Sequence, residues 1–419
     1  MTIVTKRCNE KEAGHLVAAS VFSAPALRRA LLAATSLVSV VWASEIRAEA
    51  YIPTDDTAVL EKVQPATSQA AREIAALAAQ ARRAPGDFRA AANLIRRYIQ
   101  EARTQGDPRY AGYAEAALAP WLGERTPAMA VVLRATLRQY NHDFSGALAD
   151  LDLVLKANPG DAQARLTRAI VHQVKANYAQ ARADCDALRG RTIELVQTVC
   201  SASVSALSGN ADSAYASLRE ALERAEDNIP AALRAWAVQT MGNIATRRGR
   251  AEEAEKHYRA AIVQDGPSLS LTCDLADLML AQGRAEEARD IIGDDLRPDL
   301  LLLRRAEAAH AMGEAAFDGF ARDLDARFAA SAARGDNRHL REEARFRLLM
   351  PGEARRALVL AQRNWQIQHE PEDARVLLAA ALAANDNDAA QPVIAWVQDS
   401  KLEDAAIAAL IGKLKKAGS

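Results

Sequence analysis

Gly249-Arg250-Ala251-Glu252-Glu253-Ala254 reappears unchanged 34 residues later as Gly283-Arg284-Ala285-Glu286-Glu287-Ala288. Working outward from this pair, the same interval recurs upstream. Phe144, Ala147 and Leu151 return as Tyr178, Ala181 and Cys185, and Ala135 returns as Ala169. A self-similarity of this length points to one supersecondary unit that cannot bury its apolar face alone and must stack on copies of itself. Between about residue 66 and the end, helical runs of 12 to 17 residues alternate with short stops such as Pro85-Gly86-Asp87, Pro159-Gly160-Asp161, Gly266-Pro267 and Met350-Pro351-Gly352. Proline removes a helix donor and glycine tolerates left-handed dihedrals, so these stops are physical breaks. No period-two alternation separates them, and the chain reads as all-α.

Composition agrees. Half of the 419 residues are apolar but only 5% are aromatic. Much of the apolar share is Ala and Leu, which suits closely packed helices better than sheets. The charges nearly cancel, 53 Lys and Arg against 54 Asp and Glu. Without a basic cluster there is no electrostatic footprint for nucleic acid, and nucleic-acid binding is excluded as an expectation.

The repeat resembles the tetratricopeptide repeat (TPR) family. Met241-Gly242, Gly249, Ala254, Tyr258 and Ala261 match that family's framework at its spacings, Leu275-Ala276, Gly283, Ala288 and Ile292 match it nearly as well, and Ala135, Phe144, Ala147, Leu151 and Pro159 supply a third unit. Small residues at these positions let two helices approach closely, and the aromatic fills the space before the next unit. The resemblance implies a right-handed superhelical solenoid of antiparallel helix pairs, eight to ten in all. Its clear units span 127–298, with degenerate units at 66–126 and 299–419. A final capping helix is expected over Leu402–Lys416, with Leu402, Ala406, Ala409, Leu410 and Leu414 on its apolar face.

The first fifty residues read as an address. Arg28-Arg29 precedes an uncharged apolar run, 30–42, and Ala48-Glu49-Ala50 offers a small-x-small cleavage site before Tyr51. A signal peptide over 1–50 and an extended linker over 51–65 are expected, placing the mature chain in the periplasm or outside the cell. The apolar run is shorter than a membrane span requires, so no span is expected in the mature chain.

Chemistry is sparse. Seven histidines are scattered singly, and no phosphate loop, nucleophile elbow or dinucleotide fingerprint is present. Asn385-Asp386-Asn387-Asp388 lacks the later Gly and Glu of a calcium loop and reads as a turn between helices. No catalytic, cofactor or metal residues are assigned. Cys185 and Cys200 fall on surfaces that this repeat stacks together. They either bridge in an oxidising compartment or remain small core residues.

The expected function is binding of a protein or peptide. In the resembled family the first helices line a concave groove, and by register this implies Thr136, Gln139, Ile170, Gln173, Gln239, Asn243, Arg247, Asp277 and Leu280 as its lining. The paired Asn and Lys that some members use to clamp chaperone tails are missing, since Thr136, Ile170 and Asp277 stand where Asn243 would need partners. One alternative is an envelope enzyme or accessory subunit, which needs a catalytic domain that no segment after residue 66 is long enough to supply. Another is a cytoplasmic regulator, should the leader be retained.

Overall fold

Pro and Gly end many of the helices where the sequence places them, and the described residues form twenty α-helices. The computed structural model describes residues 55, 68–226 and 228–417, and the signal-peptide and linker expectations lie outside them, apart from residue 55. The helices are α1 (Gln69–Arg83), α2 (Phe88–Gln105), α3 (Pro108–Leu118), α4 (Ala128–Tyr140), α5 (Phe144–Ala157), α6 (Ala162–Val174), α7 (Tyr178–Asp186), α8 (Glu194–Ser205), α9 (Ala211–Arg224) and α10 (Ala231–Arg247). They continue as α11 (Ala251–Asp265), α12 (Leu269–Ala281), α13 (Ala285–Ile292), α14 (Asp299–Met312), α15 (Phe317–Ala333), α16 (Leu340–Arg347), α17 (Ala354–Trp365), α18 (Pro371–Ala383), α19 (Gln391–Ser400) and α20 (Ala405–Ala417). No strand occurs among the described residues. After α1, eight helix pairs follow from α2–α3 to α16–α17, and α18 packs with α19 and α20.

The turn inside six of the eight pairs, and the turn between α18 and α19, is built the same way. His142, Ala176, Gly209, Gly249, Gly283, Gly313 and Asn385 all hold positive φ, between 52° and 75°. The residue after each donates its amide back to a carbonyl five positions earlier, as from Asp143 to Arg138, Asn177 to His172, Arg250 to Ala245 and Arg284 to Met279. This is the left-handed helix stop with its long-reach hydrogen bond, which satisfies carbonyls that the helix end orphans. Glycine suits the position; His142 and Ala176 occupy it under strain.

Within a pair, contact depends on small residues and one shared charge pattern. Gly242 lies under the Tyr258 ring so closely that a Cβ there would come within 2.5 Å of Cε1. Arg134 grips the buried Asp150 at 2.6 and 2.8 Å, and one period later Arg168 grips the buried Asp184 at 2.7 Å, joined there by Arg165. The core is a string of local clusters passing from α2–α4 through α4–α6, α6–α8, α8–α10, α10–α14 and α14–α16 to α16–α20. That is the quasi-one-dimensional order of a stacked array.

Two departures from that order shape the molecule. Ile367, from the α17–α18 connection, packs into the α4–α6 cluster, and Leu207 and Tyr178 pack into the last one. The array therefore turns back on itself. The backbone amide of His369 donates to the carbonyl of Val174 at 2.8 Å, Arg248 forms an ion pair with Glu403, and Gly209 lies against Lys401. At the other end, the turn at Gly106 meets Leu269 and Pro298.

The last helix differs from the expectation. It starts at Ala405, because the Asp404 carboxylate accepts the amide of Ile407 at 2.9 Å and caps it. The buried residues are Leu402, Ile407 and Leu414, whereas Ala406 and Ala409 are exposed. Cys185 and Cys200 are joined as a disulfide that ties α7 to α8, with 5.5 Å between the Cα atoms, and Cys273 is a buried free thiol.

Candidate functional site on the inner face

The first helices of successive pairs supply one continuous inner surface, and the turning back of the chain divides it into an open and a closed stretch. The open stretch is a cavity of about 500 Å³ with α2 and α4 on one side and α10 and α12 on the other. Its walls carry Arg96 and Arg103 from α2, Met129 and Thr136 from α4, and Trp236 and Gln239 from α10. Among the described residues neither Arg96 nor Arg103 pairs with a carboxylate. Arg96 meets Asn93 Oδ1 at 3.2 Å and Met129 Sδ at 3.1 Å, and Arg103 reaches only Gln139 Oε1, at 3.4 Å.

The closed stretch is filled by the chain's own charges. Asp277 accepts from Arg304 Nη2 at 2.6 Å and from Arg345 Nη2 at 2.5 Å, and Arg345 reaches Glu307 as well, at 2.6 Å. Burial alone would raise the Asp277 carboxyl, but the two guanidinium groups outweigh it and hold the carboxyl well below the usual range. Nearby, Gln239 Nε2 donates to Asp274 Oδ2 at 2.8 Å. That single neutral donor does not offset burial, and Asp274 is pushed up to about 7. Further along, Arg375 pairs with Asp404 at 2.5 Å, and Arg341 lies 3.4 Å from both Glu370 and Asp373. Burial first, and Asp373 second, raise Glu370 to about 7.

The nine residues named from the register separate on this map. Thr136 and Gln239 line the open cavity together, and Gln139 stands at its edge through Arg103. Asp277 belongs to the closed ion-pair knot. Asn243 turns into its own unit and accepts the Tyr258 hydroxyl at 2.7 Å. Leu280 packs against the α10–α14 core, and Ile170 and Gln173 are half-buried on α6 outside the cavity. Arg247 lines a second hollow, at the seam with α20. The register did not single out Arg96, Arg103, Trp236 or Asp274. Trp236 and Gln239 are three apart on one helix, and Arg96 and Arg103 seven apart on another, so their shared faces are legible as helical spacing. What brings α2 opposite α10 is the closure of the array, which no local pattern announces.

Stacked antiparallel helix pairs, the 34-residue recurrence and the repeated left-handed turn make this a tetratricopeptide-type solenoid. No protein-family model matches the sequence, and no curated protein matches it. Among solved structures, PilW, described as a widely conserved type IV pilus biogenesis factor, is similar at 18% identity over 48% of this chain and 94% of its own, with a TM-score of 0.39. A tetratricopeptide repeat protein from Parabacteroides merdae is similar at 14% identity over 69% and 98%, with a TM-score of 0.36. YrrB, described as a TPR protein with an unusual peptide-binding site, is similar at 19% identity over 48% and 97%, with a TM-score of 0.27. At these scores the class assignment rests on the repeat and the helix pairs themselves.

Proposed function

We propose that this protein is a non-catalytic scaffold of the cell envelope that holds a segment of a partner protein in the inner cavity between α2, α4, α10 and α12. The carrying observation is the cavity itself. It pairs apolar surface from Trp236 and Met129 with hydrogen-bonding groups from Thr136 and Gln239 and two arginines without carboxylate partners. Concave surfaces with an aromatic wall and a few convergent polar groups are where binding energy concentrates. A stacked frame presents them already ordered, which lowers the cost of binding.

The envelope location is supported by the basic flank, apolar run and Ala48-Glu49-Ala50 of the leader, and by the Cys185–Cys200 disulfide, since such bonds persist in oxidising compartments. Among the described residues no helix is long and apolar enough to cross a membrane.

A photo-crosslinking residue at Gln239, compared with one at the 86% exposed Val263 on α11, tests the binding face in a fractionated host. Capture of a discrete protein from Gln239 alone is the expected result; equal capture from both sites, or none, refutes it. Sequencing of the recovered protein tests export. A start at Tyr51 is expected, and an intact Lys6-Arg7 refutes it.

A further inference from the structure

Where the last helix closes against the α10–α11 turn, it leaves a second hollow of about 630 Å³, separate from the inner cavity. Its apolar lining comes from Val397, Leu402, Ala408 and Ile411, and its charged lining from Arg247, Arg248, Glu403, Asp404 and Lys415. Most of these charges are already matched. Arg248 pairs with Glu403, and Asp404 takes Arg375 at 2.5 Å while its other oxygen caps α20. Arg247 is different. Its Nε is buried without any hydrogen-bond partner, and among the described residues no carboxylate pairs with its guanidinium at ion-pair distance, although Glu372 and Asp404 lie near enough to act on it electrostatically. Lys415, on the opposite wall, has no ion pair either. A buried guanidinium donor left unmade is costly, and the same group becomes a strong recognition element once an anion reaches it.

We infer that this seam hollow is a second binding site, which takes a peptide segment presenting a side-chain carboxylate to Arg247 and Lys415, with apolar neighbours on Leu402, Ala408 and Ile411. A peptide fits better than a compact anion such as phosphate because the lining is mainly apolar, and among the described residues Arg247 and Lys415 are its only cations outside an ion pair. The carboxylate supplies the missing acceptor; the flanking side chains cover the apolar wall formed by the last helix. Burial depresses the Arg247 guanidinium from its ordinary value more than the nearby charges of Glu372 and Asp404 raise it.

The test is panning of a displayed library of random heptapeptides on the full chain. The wild type is expected to enrich sequences with Asp or Glu between large apolar residues. For the best peptide so selected, R247Q should weaken binding about tenfold, the value of one charge-assisted contact. A408W, which fills the hollow with a bulky apolar ring, should abolish it, and both variants should keep the wild-type helical melting curve. W236A, which strips a wall of the inner cavity, should leave this binding unchanged. Selected peptides without acidic residues, an R247Q variant that binds as well as wild type, or loss of binding in W236A each overturns the assignment. In the last case the inner cavity stands and the seam site falls. Binding by an inorganic phosphate probe with the same dependence on Arg247, and no acidic peptide preference, also overturns it.

Discussion

Replacing Gly242 by alanine probes a tight crossing between α10 and α11. An ideal Cβ at 242 would lie 2.5 Å from Tyr258 Cε1 and 2.7 Å from Cδ1. Carbon atoms prefer about 3.5–4.0 Å, so the ring must retreat by roughly 1 Å. It has little room to do so. Tyr258 is 2% exposed, and its hydroxyl is fixed 2.9 Å from Thr246 Oγ1 and 2.7 Å from Asn243 Oδ1. Overpacking of this kind costs about 1–3 kcal/mol, and a weakened hydroxyl contact adds about 1 kcal/mol. Alanine in place of glycine inside a helix returns about 1 kcal/mol. The net expectation is a loss of about 2 kcal/mol. In a Tyr258→Leu background the ring is gone, and the same substitution should become neutral or stabilising by up to about 1 kcal/mol. Urea unfolding followed by circular dichroism gives the global shift. Amide exchange over α10 and α11 gives the local one, since repeat arrays open in parts. A stabilised single variant, or two backgrounds that respond alike, would refute the packing argument.

The turn conformation yields a second prediction. Ala176 holds a φ of 57°, so Ala176→Gly should stabilise by about 0.5–1 kcal/mol net of unfolded-chain entropy, whereas Gly249→Ala should destabilise by about 1 kcal/mol; thermal melts of both check the opposite signs. A third follows from Asp274, raised by burial to about 7 from 3.8. Between those values the folded state holds a proton that the unfolded chain has released, so this residue's contribution to stability falls as pH rises from about 4 to 7. Asp274→Asn should flatten that slope and stabilise the protein at pH 8 by about 1–2 kcal/mol, after allowance for the solvent that reaches the carboxyl. An unchanged slope in denaturant titrations across this range would exclude Asp274 as its source.

Much of the fold is legible because its unit is short and repeated. Gly249 and Gly283 announce the turn, Ala254 and Ala288 the crossing, and Tyr258 the filler. The pairing of Arg134 with Asp150 and of Arg168 with Asp184 is equally readable in retrospect, since both members recur after one period. The site is less legible. Register places Thr136 and Gln239 on the inner face but does not reveal that α2 closes opposite α12. Nor does it foresee that Asp277 is consumed by Arg304 and Arg345. Those pairings span 27 and 68 residues; the second is two periods, but no other unit repeats either pair, so the recurrence does not announce them. The last helix was misread for a local reason. Asp404 caps it, so it starts three residues later than expected, and Ile407 is buried together with the expected Leu402 and Leu414 while Ala406 and Ala409 stay exposed.

Closure changes what a solenoid of this kind can do. In an open array each unit touches only its neighbours, so small rotations add along its length and the inner surface flexes. Here Arg345 ties α16 to α12, His369 ties the α17–α18 connection to the end of α6, and Gly106 seats against Leu269. These contacts fix the separation of units distant in sequence, including the two walls of the inner cavity. Ion pairs that are enclosed this way recover in attraction roughly what they lose in hydration, so their net stabilisation is small. Their geometry is nevertheless demanding. Asp277 takes one guanidinium on each oxygen, and a slipped register would strand a buried charge at a cost of about 3–5 kcal/mol. The knot is therefore better suited to fixing one arrangement of the array than to stabilising it. A partner segment entering between α2 and α10 meets walls whose spacing has already been set.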